Sequence, residues 1–331
     1  MRRREFIMLA GAAALSSEAA SAQNPGGVRR IGVLLSLAET DPEGKAQFSG
    51  FTQGLAELGW VEGRNLKMEV RWGRGDIDRI RTFAKDLVAL QPDVILAHGT
   101  PVTAALHRET RTIPIVFVTV SDPVGDGFVA GLPHPGGNIT GFLTSESTIT
   151  AKMFELLTEI APGLKRVAIL FNPDTAPGGG AYYFRDFEPA VRSTNVEPIA
   201  ARAQSDAEIE AIVTSLGGEP GGGLIIMPDY FMLNHIRSIT SLAARNNVPA
   251  IYPWRSVVAD DGALFSYGPD LRDIVRRGAP YVDRILRGEK PANLPVQVPV
   301  KFEMAVNAKT AKALGLTVPP SIRLRADEVI E

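Results

Sequence analysis

The chain contains no cysteine among its 331 residues. This absence excludes disulfide bonds, thiolate metal sites, a cysteine nucleophile and a cysteine that could carry a lipid anchor. Aromatic residues make up only 7% of the chain and the net charge is −2, so no basic face with interleaved stacking aromatics is present. We therefore expect no nucleic-acid partner.

The familiar catalytic and cofactor motifs are also missing. The sequence has no G-x-S-x-G nucleophile elbow, P-loop, H-E-x-x-H zinc motif or EF-hand loop. Its histidines lack the spacing of metal ligands, and they are His98, His107, His134 and His235. His98 directly follows a predicted strand, which makes it a minor candidate for contact with a ligand. We expect no cofactor, no metal ion and no enzymatic activity.

The first residues have the pattern of an export signal. Arg2, Arg3 and Arg4 precede an apolar run at residues 6–15, and an A-x-A cleavage site follows at residues 20–22. Ten apolar residues are too few to span a bilayer as a helix. We predict that residues 1–22 are a signal peptide of twin-arginine-like type, with Sec export as the alternative. The mature protein is then soluble, periplasmic and not inserted in the membrane.

Residues 92–126 predict a βαβ unit. Two nearly continuous apolar strands, at residues 93–97 and 113–120, flank a helical pattern at 102–109. The polar residues Thr100, Thr119, Ser121 and Asp122 lie near the carboxyl ends of these strands. Open α/β sheets place their ligand crevice at this edge. Thr100 and Ser121 are therefore candidate ligand contacts, although both could instead cap the next helix.

A second array of alternating strands and helices starts near residue 165, which predicts two doubly wound lobes. Polar and aromatic residues again follow its strands: Asn172, Asp174, Asp229, Tyr230, Phe231 and Trp254. Hydroxyls and helix N-termini on one wall suit a carboxylate, and Asp229 or Asp174 on the other wall suits an ammonium group. Tyr230, Phe231, Trp254 and Tyr267 could enclose an apolar or aromatic group, or could simply be packing residues.

Six segments resemble one protein family. They are RIGVL (30–34), GLAELGWVEGRN (54–65), IPIVF (113–117), PGGNITG (135–141), YVDRILRG (281–288) and NAKTAKALGL (307–316). The chain resembles the periplasmic substrate-binding proteins of ABC importers, in particular the subgroup whose characterised members bind tryptophan or related amino acids. This resemblance implies a type I periplasmic-binding-protein fold of class α/β. Its two doubly wound parallel-sheet lobes would be residues 28–143 plus 269–290 and residues 144–268 plus 291–331, joined by a three-crossing hinge.

The resemblance also implies how the protein acts. Thr100 and Ser121 would hold the ligand from the first lobe, with Asp229 facing them from the second. The ligand-binding residues that we predict are Thr100, Ser121, Asp122, Asn172, Asp229, Tyr230, Trp254 and Tyr267. The expected partners are an amino-acid-like ligand, possibly aromatic or branched, and the inner-membrane permease, with the protein acting as a monomer.

Two departures from the family pattern bear on the ligand. Residues 230–233 are bulkier and more apolar than is common there, and Gln297-Val298 replaces the more usual Glu-Gln. Alternatives remain at this stage: a sensor subunit for a membrane receptor, a binding protein for an organic acid that is not an amino acid, or an enzyme such as a nucleotide-sugar transferase.

Overall fold

The computed structural model describes residues 27–331. The predicted signal peptide, residues 1–22, lies outside the described residues. Within residues 27–331, no helix is long and apolar enough to cross a membrane.

Strands and helices alternate along most of the chain. The strands are β1 (Arg29–Leu35), β2 (Leu66–Trp72), β3 (Val94–His98), β4 (Ile115–Val120), β5 (Ile139–Leu143), β6 (Arg166–Phe171), β7 (Glu197–Arg202), β8 (Gly222–Ile226), β9 (Ala250–Tyr252), β10 (Phe265–Pro269), β11 (Phe302–Asn307) and β12 (Glu328–Ile330).

The α-helices are α1 (Pro42–Glu57), α2 (Ile77–Ala89), α3 (Thr100–Glu109), α4 (Thr148–Ile160), α5 (Ala181–Arg192), α6 (Asp206–Gly217), α7 (Tyr230–Asn234), α8 (Ile236–Arg245), α9 (Arg255–Asp261), α10 (Leu271–Leu286), α11 (Ala308–Ala313) and α12 (Pro320–Arg325). Short 3₁₀ helices occur at Pro177–Gly180 and Pro291–Asn293.

The first lobe is a parallel sheet of five strands in the order β2-β1-β3-β4-β5. Helices α1 and α10 cover one face, and α2 and α3 cover the other. Strands buried on both faces need apolar residues at every position, which explains the continuous apolar runs of β3 and β4. The strand order reverses between β1 and β3, so the ligand crevice is expected at their carboxyl ends.

The second lobe is a sheet of seven strands in the order β12-β11-β10-β9-β8-β6-β7. All neighbouring pairs are parallel except β10 and β11. Here the order reverses between β6 and β8, so both lobes have the same kind of crevice. The prediction of a type I fold with two doubly wound lobes is confirmed, with β11 and β12 running against the other strands of the second sheet.

Three segments cross between the lobes. The chain leaves the first sheet after β5, returns to it between β10 and α10, and leaves again before β11. We expected the last crossing at residue 291, but it comes later in the chain. Leu294 and Val296 are buried in the first lobe, and Gln297 pairs with Phe142 of β5. Residues 291–298 therefore pack with the first lobe rather than the second.

Candidate functional site

A cavity of about 150 Å³ lies between the two lobes. Five of the predicted site residues line it: Thr100, Ser121, Asp229, Tyr230 and Trp254. The first two come from the first lobe and the other three from the second. The cavity is thus built from strand carboxyl ends on both sides, as expected for ligand sites in open α/β sheets.

The N-terminus of α3 forms part of the first-lobe wall. The helix follows Gly99, whose φ of 93° and ψ of 160° suit glycine alone, and no side chain within residues 27–331 caps it. The first N–H groups of a helix lack partners inside the helix. Because Pro101 has no N–H, those of Thr100 and Val102 remain available. This helix end is suited to a carboxylate.

Thr119 adds a strained hydroxyl to the same wall. Its φ is +58°, which is rare for a β-branched residue, and it sits where the pairing of β4 with β5 shifts register. Its Oγ1 is buried beside the Tyr230 hydroxyl and makes no hydrogen bond of good geometry in the described part of the chain. Such strain persists where the surroundings impose it, often at ligand sites. Thr119 is therefore a further donor for a bound anion.

His98 sits at the base of the first-lobe wall in its neutral form. Burial lowers the pKa of His98 from 6.5 to about 4. Its Nε2 donates to Gln47 Oε1 at 3.0 Å, and its Nδ1 accepts from Ser36 Oγ at 2.9 Å. Ser36 directly follows β1, and His98 is the last residue of β3. The strand order of the sheet reverses between these two strands. His98, our minor candidate for contact with a ligand, lines the cavity.

Asp229 is the buried carboxylate of the cavity. Of the three acidic residues that line it, Asp41 and Glu43 are partly exposed, and Glu43 pairs with Arg272 at 2.6 Å. Asp229 is only 4% exposed, and it caps α7 by accepting from Met232 N at 2.8 Å. It also accepts from Asn172 N, which follows β6, at 3.0 Å. Burial raises the pKa of Asp229 from 3.8 to about 6, against the opposing effect of these N–H groups.

Tyr230 reaches across the cavity from the second lobe. Its hydroxyl lies 3.4 Å from His98 Nδ1, and a Cβ at position 99 would overlap with the same hydroxyl. Gly99 is therefore required twice, once for its backbone conformation and once for this contact. The two lobes touch through the Tyr230 hydroxyl.

Comparison with known proteins identifies the family. The sequence model of the family described as ABC transporter substrate binding protein matches residues 31–330. The chain belongs to this family. It is thus a substrate-binding protein rather than an enzyme.

Two relatives are described by the amino acids they bind. The chain is 26% identical over 280 residues to the tyrosine-binding protein of Clostridioides difficile strain R20291, covering 85% of this chain and 78% of that protein. It is 25% identical to a solved ABC domain from Streptococcus pneumonia in complex with L-Trp, with a TM-score of 0.82 over 91% of this chain and 99% of that one.

A third comparison concerns the arrangement of the lobes. The ligand-free, open structure of an adhesive substrate-binding protein from Clostridium difficile is 24% identical, covering 92% of this chain and 99% of that one. Its TM-score is 0.70, below the 0.82 of the tryptophan-bound structure at nearly equal coverage. In this binding protein, the contact of the Tyr230 hydroxyl with His98 of the first lobe shows that the lobes are closed on each other.

Three predicted site residues of this binding protein lie outside the cavity. Asp122 Oδ1 accepts from Gly125 N at 2.9 Å in a turn, and the Tyr267 ring stacks on Phe302 at 5.6 Å between centroids. The Asn172 side chain accepts from Asp174 N, while its own backbone N–H supports Asp229. Asp174, the other candidate for the ammonium group, is exposed.

Several residues that line the cavity were missed at the sequence level. They are Leu37, Gln47, Thr144, Thr175, Tyr183, Leu233 and Leu271. Leu37 and Thr175 lie in loops after β1 and β6, so the rule that pointed to Thr100 also applied to them. Tyr183 lies in the first turn of α5 among core aromatics, where nothing in its sequence context separates it from a packing residue.

Proposed function

We propose that this protein is the extracytoplasmic solute-binding component of an ABC importer, and that it captures an amino acid with an aromatic or branched side chain between its lobes. The observation that carries the proposal is the opposition of two kinds of polar group across one cavity. Thr100 at the start of α3 and Thr119 line the cavity from the first lobe, and the buried carboxylate of Asp229 belongs to its second-lobe wall. This arrangement complements a zwitterion.

The size and lining of the cavity favour a side chain with a ring or branch. Leu37, Leu233, Leu271 and Trp254 supply apolar contacts. A cavity of about 150 Å³ in another protein binds benzene, so the volume here is suited to a ring of that size. The relatives that bind tyrosine and tryptophan support the same ligand class.

Delivery to a permease and export to the periplasm are parts of the same proposal. Family membership supports the first, and the basic-apolar pattern of residues 1–22 supports the second. Because each chain contributes both walls of its own cavity, we propose that a monomer is the working unit.

An organic acid without an amino group is the second candidate ligand. Both Asp229 oxygens already accept backbone N–H groups, and hydroxyls supply many of the other polar contacts of the cavity. These features suit an anion whether or not it carries an ammonium group. The test must therefore compare amino acids with their deaminated analogues.

A thermal-shift panel tests the proposal. The mature protein is heated with each standard amino acid and with deaminated analogues such as indole-3-propanoate. A ligand at 100 times its dissociation constant stabilises the folded state by about 2.7 kcal/mol. We expect the largest shift with an aromatic or branched amino acid. No shift with any amino acid, alongside a shift with an analogue, would replace the proposed ligand class by organic acids.

A further inference from the structure

Tyr183 carries a polar atom that has no use in the ligand-free protein. The side chain is fully buried, it lines the cavity, and its hydroxyl has no hydrogen-bond partner among the described residues. Leaving a buried hydroxyl unpaired costs about 1–3 kcal/mol. A packing role would be filled better by phenylalanine. The hydroxyl therefore points to a partner that arrives with the ligand.

Thr175 supplies a second hydroxyl on the same wall. It lies in the loop between β6 and α5 and lines the cavity, and its Oγ1 is buried without a hydrogen bond of good geometry in residues 27–331. This hydroxyl lies beside the Asp229 carboxyl and opposes the rise in its pKa. Tyr183 and Thr175 thus line one cavity from neighbouring parts of the second lobe, and each carries a buried hydroxyl.

Asp229 lies close enough to influence Tyr183. Burial raises the pKa of Tyr183 well above 10, and the negative charge of Asp229 raises it further. The phenol is therefore neutral and keeps its oxygen lone pairs. The Asp229 oxygens accept two backbone N–H groups and lie beside the Thr175 hydroxyl. A carboxylate has about four acceptor sites, so Asp229 retains capacity for another donor.

We propose that Thr175, Tyr183 and Asp229 together form a three-acceptor site for the primary ammonium group of the ligand, an inference that rests on the proposed function. A primary ammonium group has three N–H donors and no acceptor. Two hydroxyl oxygens and one carboxylate match this number, and the carboxylate supplies the opposite charge. The site selects ligands with a primary amine over those whose nitrogen is fully methylated.

The substitution Tyr183→Phe separates this role from a structural one. It removes one acceptor from the ligand but also removes an unpaired buried hydroxyl from the free protein. We expect calorimetry to show about five- to thirty-fold weaker binding of L-tryptophan, with unchanged affinity for indole-3-propanoate. The melting temperature of the ligand-free variant should equal or exceed that of the parent.

Tyr182→Phe is the matched control. Tyr182 precedes Tyr183, but its hydroxyl donates to Ser145 O at 2.9 Å. This variant should bind L-tryptophan as the parent does and should melt at a lower temperature. Thr175→Val tests the second hydroxyl independently, with the same selective loss of affinity for the amino acid.

The outcomes that overturn the inference are distinct from failure of the proposed function. The three-acceptor site is refuted if Tyr183→Phe and Thr175→Val bind L-tryptophan as tightly as the parent. It is also refuted if they lose affinity equally for indole-3-propanoate, which would indicate a change of cavity shape. Equal affinity of the parent protein for L-tryptophan and its N,N,N-trimethyl derivative would also refute the three-acceptor site. If the parent protein binds no amino acid at all, the proposed function is refuted, and the three-acceptor site is refuted as a consequence.

Discussion

The burial of Asp229 and its hydrogen bonds have opposite effects on its charge. The carboxylate accepts from Met232 N and Asn172 N, and both N–H groups favour the ionised form. Burial without a cation disfavours the ionised form, which is why its pKa rises to about 6. In the proposed complex, the ligand ammonium group removes this penalty. The residue is thus unfavourable in the empty protein and favourable in the loaded one.

This conflict predicts a pH dependence of binding. Below about pH 6 the Asp229 carboxyl binds a proton, which must be released before an ammonium group can pair with it. Affinity for a zwitterionic ligand should therefore fall as the pH is lowered from 7 to 5, by about tenfold per pH unit at the lower end. Calorimetry across this range measures the effect.

The ligand-free protein should show the reverse trend in stability. The folded-state pKa of Asp229 is raised above its ordinary 3.8, so folding favours the protonated form and stability declines as the pH rises from about 4 to about 6. Burial and Asp122 raise the pKa of Asp126 to about 6 as well, which adds to this decline. Asp126→Asn is the control, because it should leave the pH dependence of binding intact. An affinity that is flat from pH 5 to 8 would contradict the assignment of Asp229.

At the scale of single elements, the start of α3 is the feature on which the first-lobe wall depends. Gly99 allows the chain to turn from β3 directly into the helix, so that the helix end faces the cavity. The same glycine leaves space for the Tyr230 hydroxyl. Backbone conformation and contact between lobes are therefore set at one position.

Gly99→Ala should disturb both the backbone conformation at the start of α3 and the contact between the lobes. The backbone conformation of Gly99 is nearly exclusive to glycine, so we expect a loss of about 1–3 kcal/mol in the free energy of unfolding, measured by urea denaturation. Binding should weaken in addition, because the new Cβ overlaps with Tyr230 in the closed form.

Gly127→Ala provides a matched control. Gly127 also has a positive φ, of 72°, but a Cβ there meets nothing within 4 Å. This variant should lose stability and keep its affinity. If Gly99→Ala binds ligand as tightly as Gly127→Ala does, the close approach of Gly99 and Tyr230 has no role in closure.

The elements also show what the sequence could and could not reveal. Apolar periodicity located the strands, and their carboxyl ends pointed correctly to the positions of Thr100, Ser121 and Asp229 around the cavity. The same rule also selected Asp122, because it locates a backbone position but not the direction of a side chain. Asp122 turns back to Gly125 instead.

Contacts between residues far apart in the chain were the other feature that the sequence could not reveal. We assigned residues 291–298 to the second lobe, because the helical pattern of the first lobe ends before them. Gln297 instead pairs with Phe142 of β5, more than a hundred residues away in sequence. Tyr183 could not be predicted as a site residue for a related reason. Its burial is typical of a core aromatic, and only the three-dimensional surroundings reveal that its hydroxyl is unpaired.

At the scale of the whole molecule, the closed arrangement is held in part by the protein itself. The Tyr230 hydroxyl of the second lobe lies 3.4 Å from His98 Nδ1 of the first lobe. A ligand shifts the equilibrium between open and closed forms only by its different affinity for the two. A contact that the protein itself makes between the lobes, such as that of Tyr230 with His98, lowers the free energy needed for closure.

Tyr230→Ala should therefore favour the open form. We expect the ligand-free variant to have a larger radius of gyration in small-angle X-ray scattering than the parent, with no loss of secondary structure. Tyr267→Phe is a suitable control, since Tyr267 packs on Phe302 away from the cavity. If Tyr230→Ala scatters as the parent does, the Tyr230 contact does not hold the lobes together.

In the proposed complex, one cavity recognises both charges of an amino acid, one from each lobe. Titration calorimetry of the mature protein with L-tryptophan, its deaminated analogue indole-3-propanoate and its decarboxylated analogue tryptamine measures this recognition, with the corresponding tyrosine series in parallel. We predict that at least one of the two amino acids binds at least a hundredfold more tightly than both of its analogues, because each analogue leaves one polar wall without its partner. An analogue that binds as tightly as its parent amino acid would contradict the account.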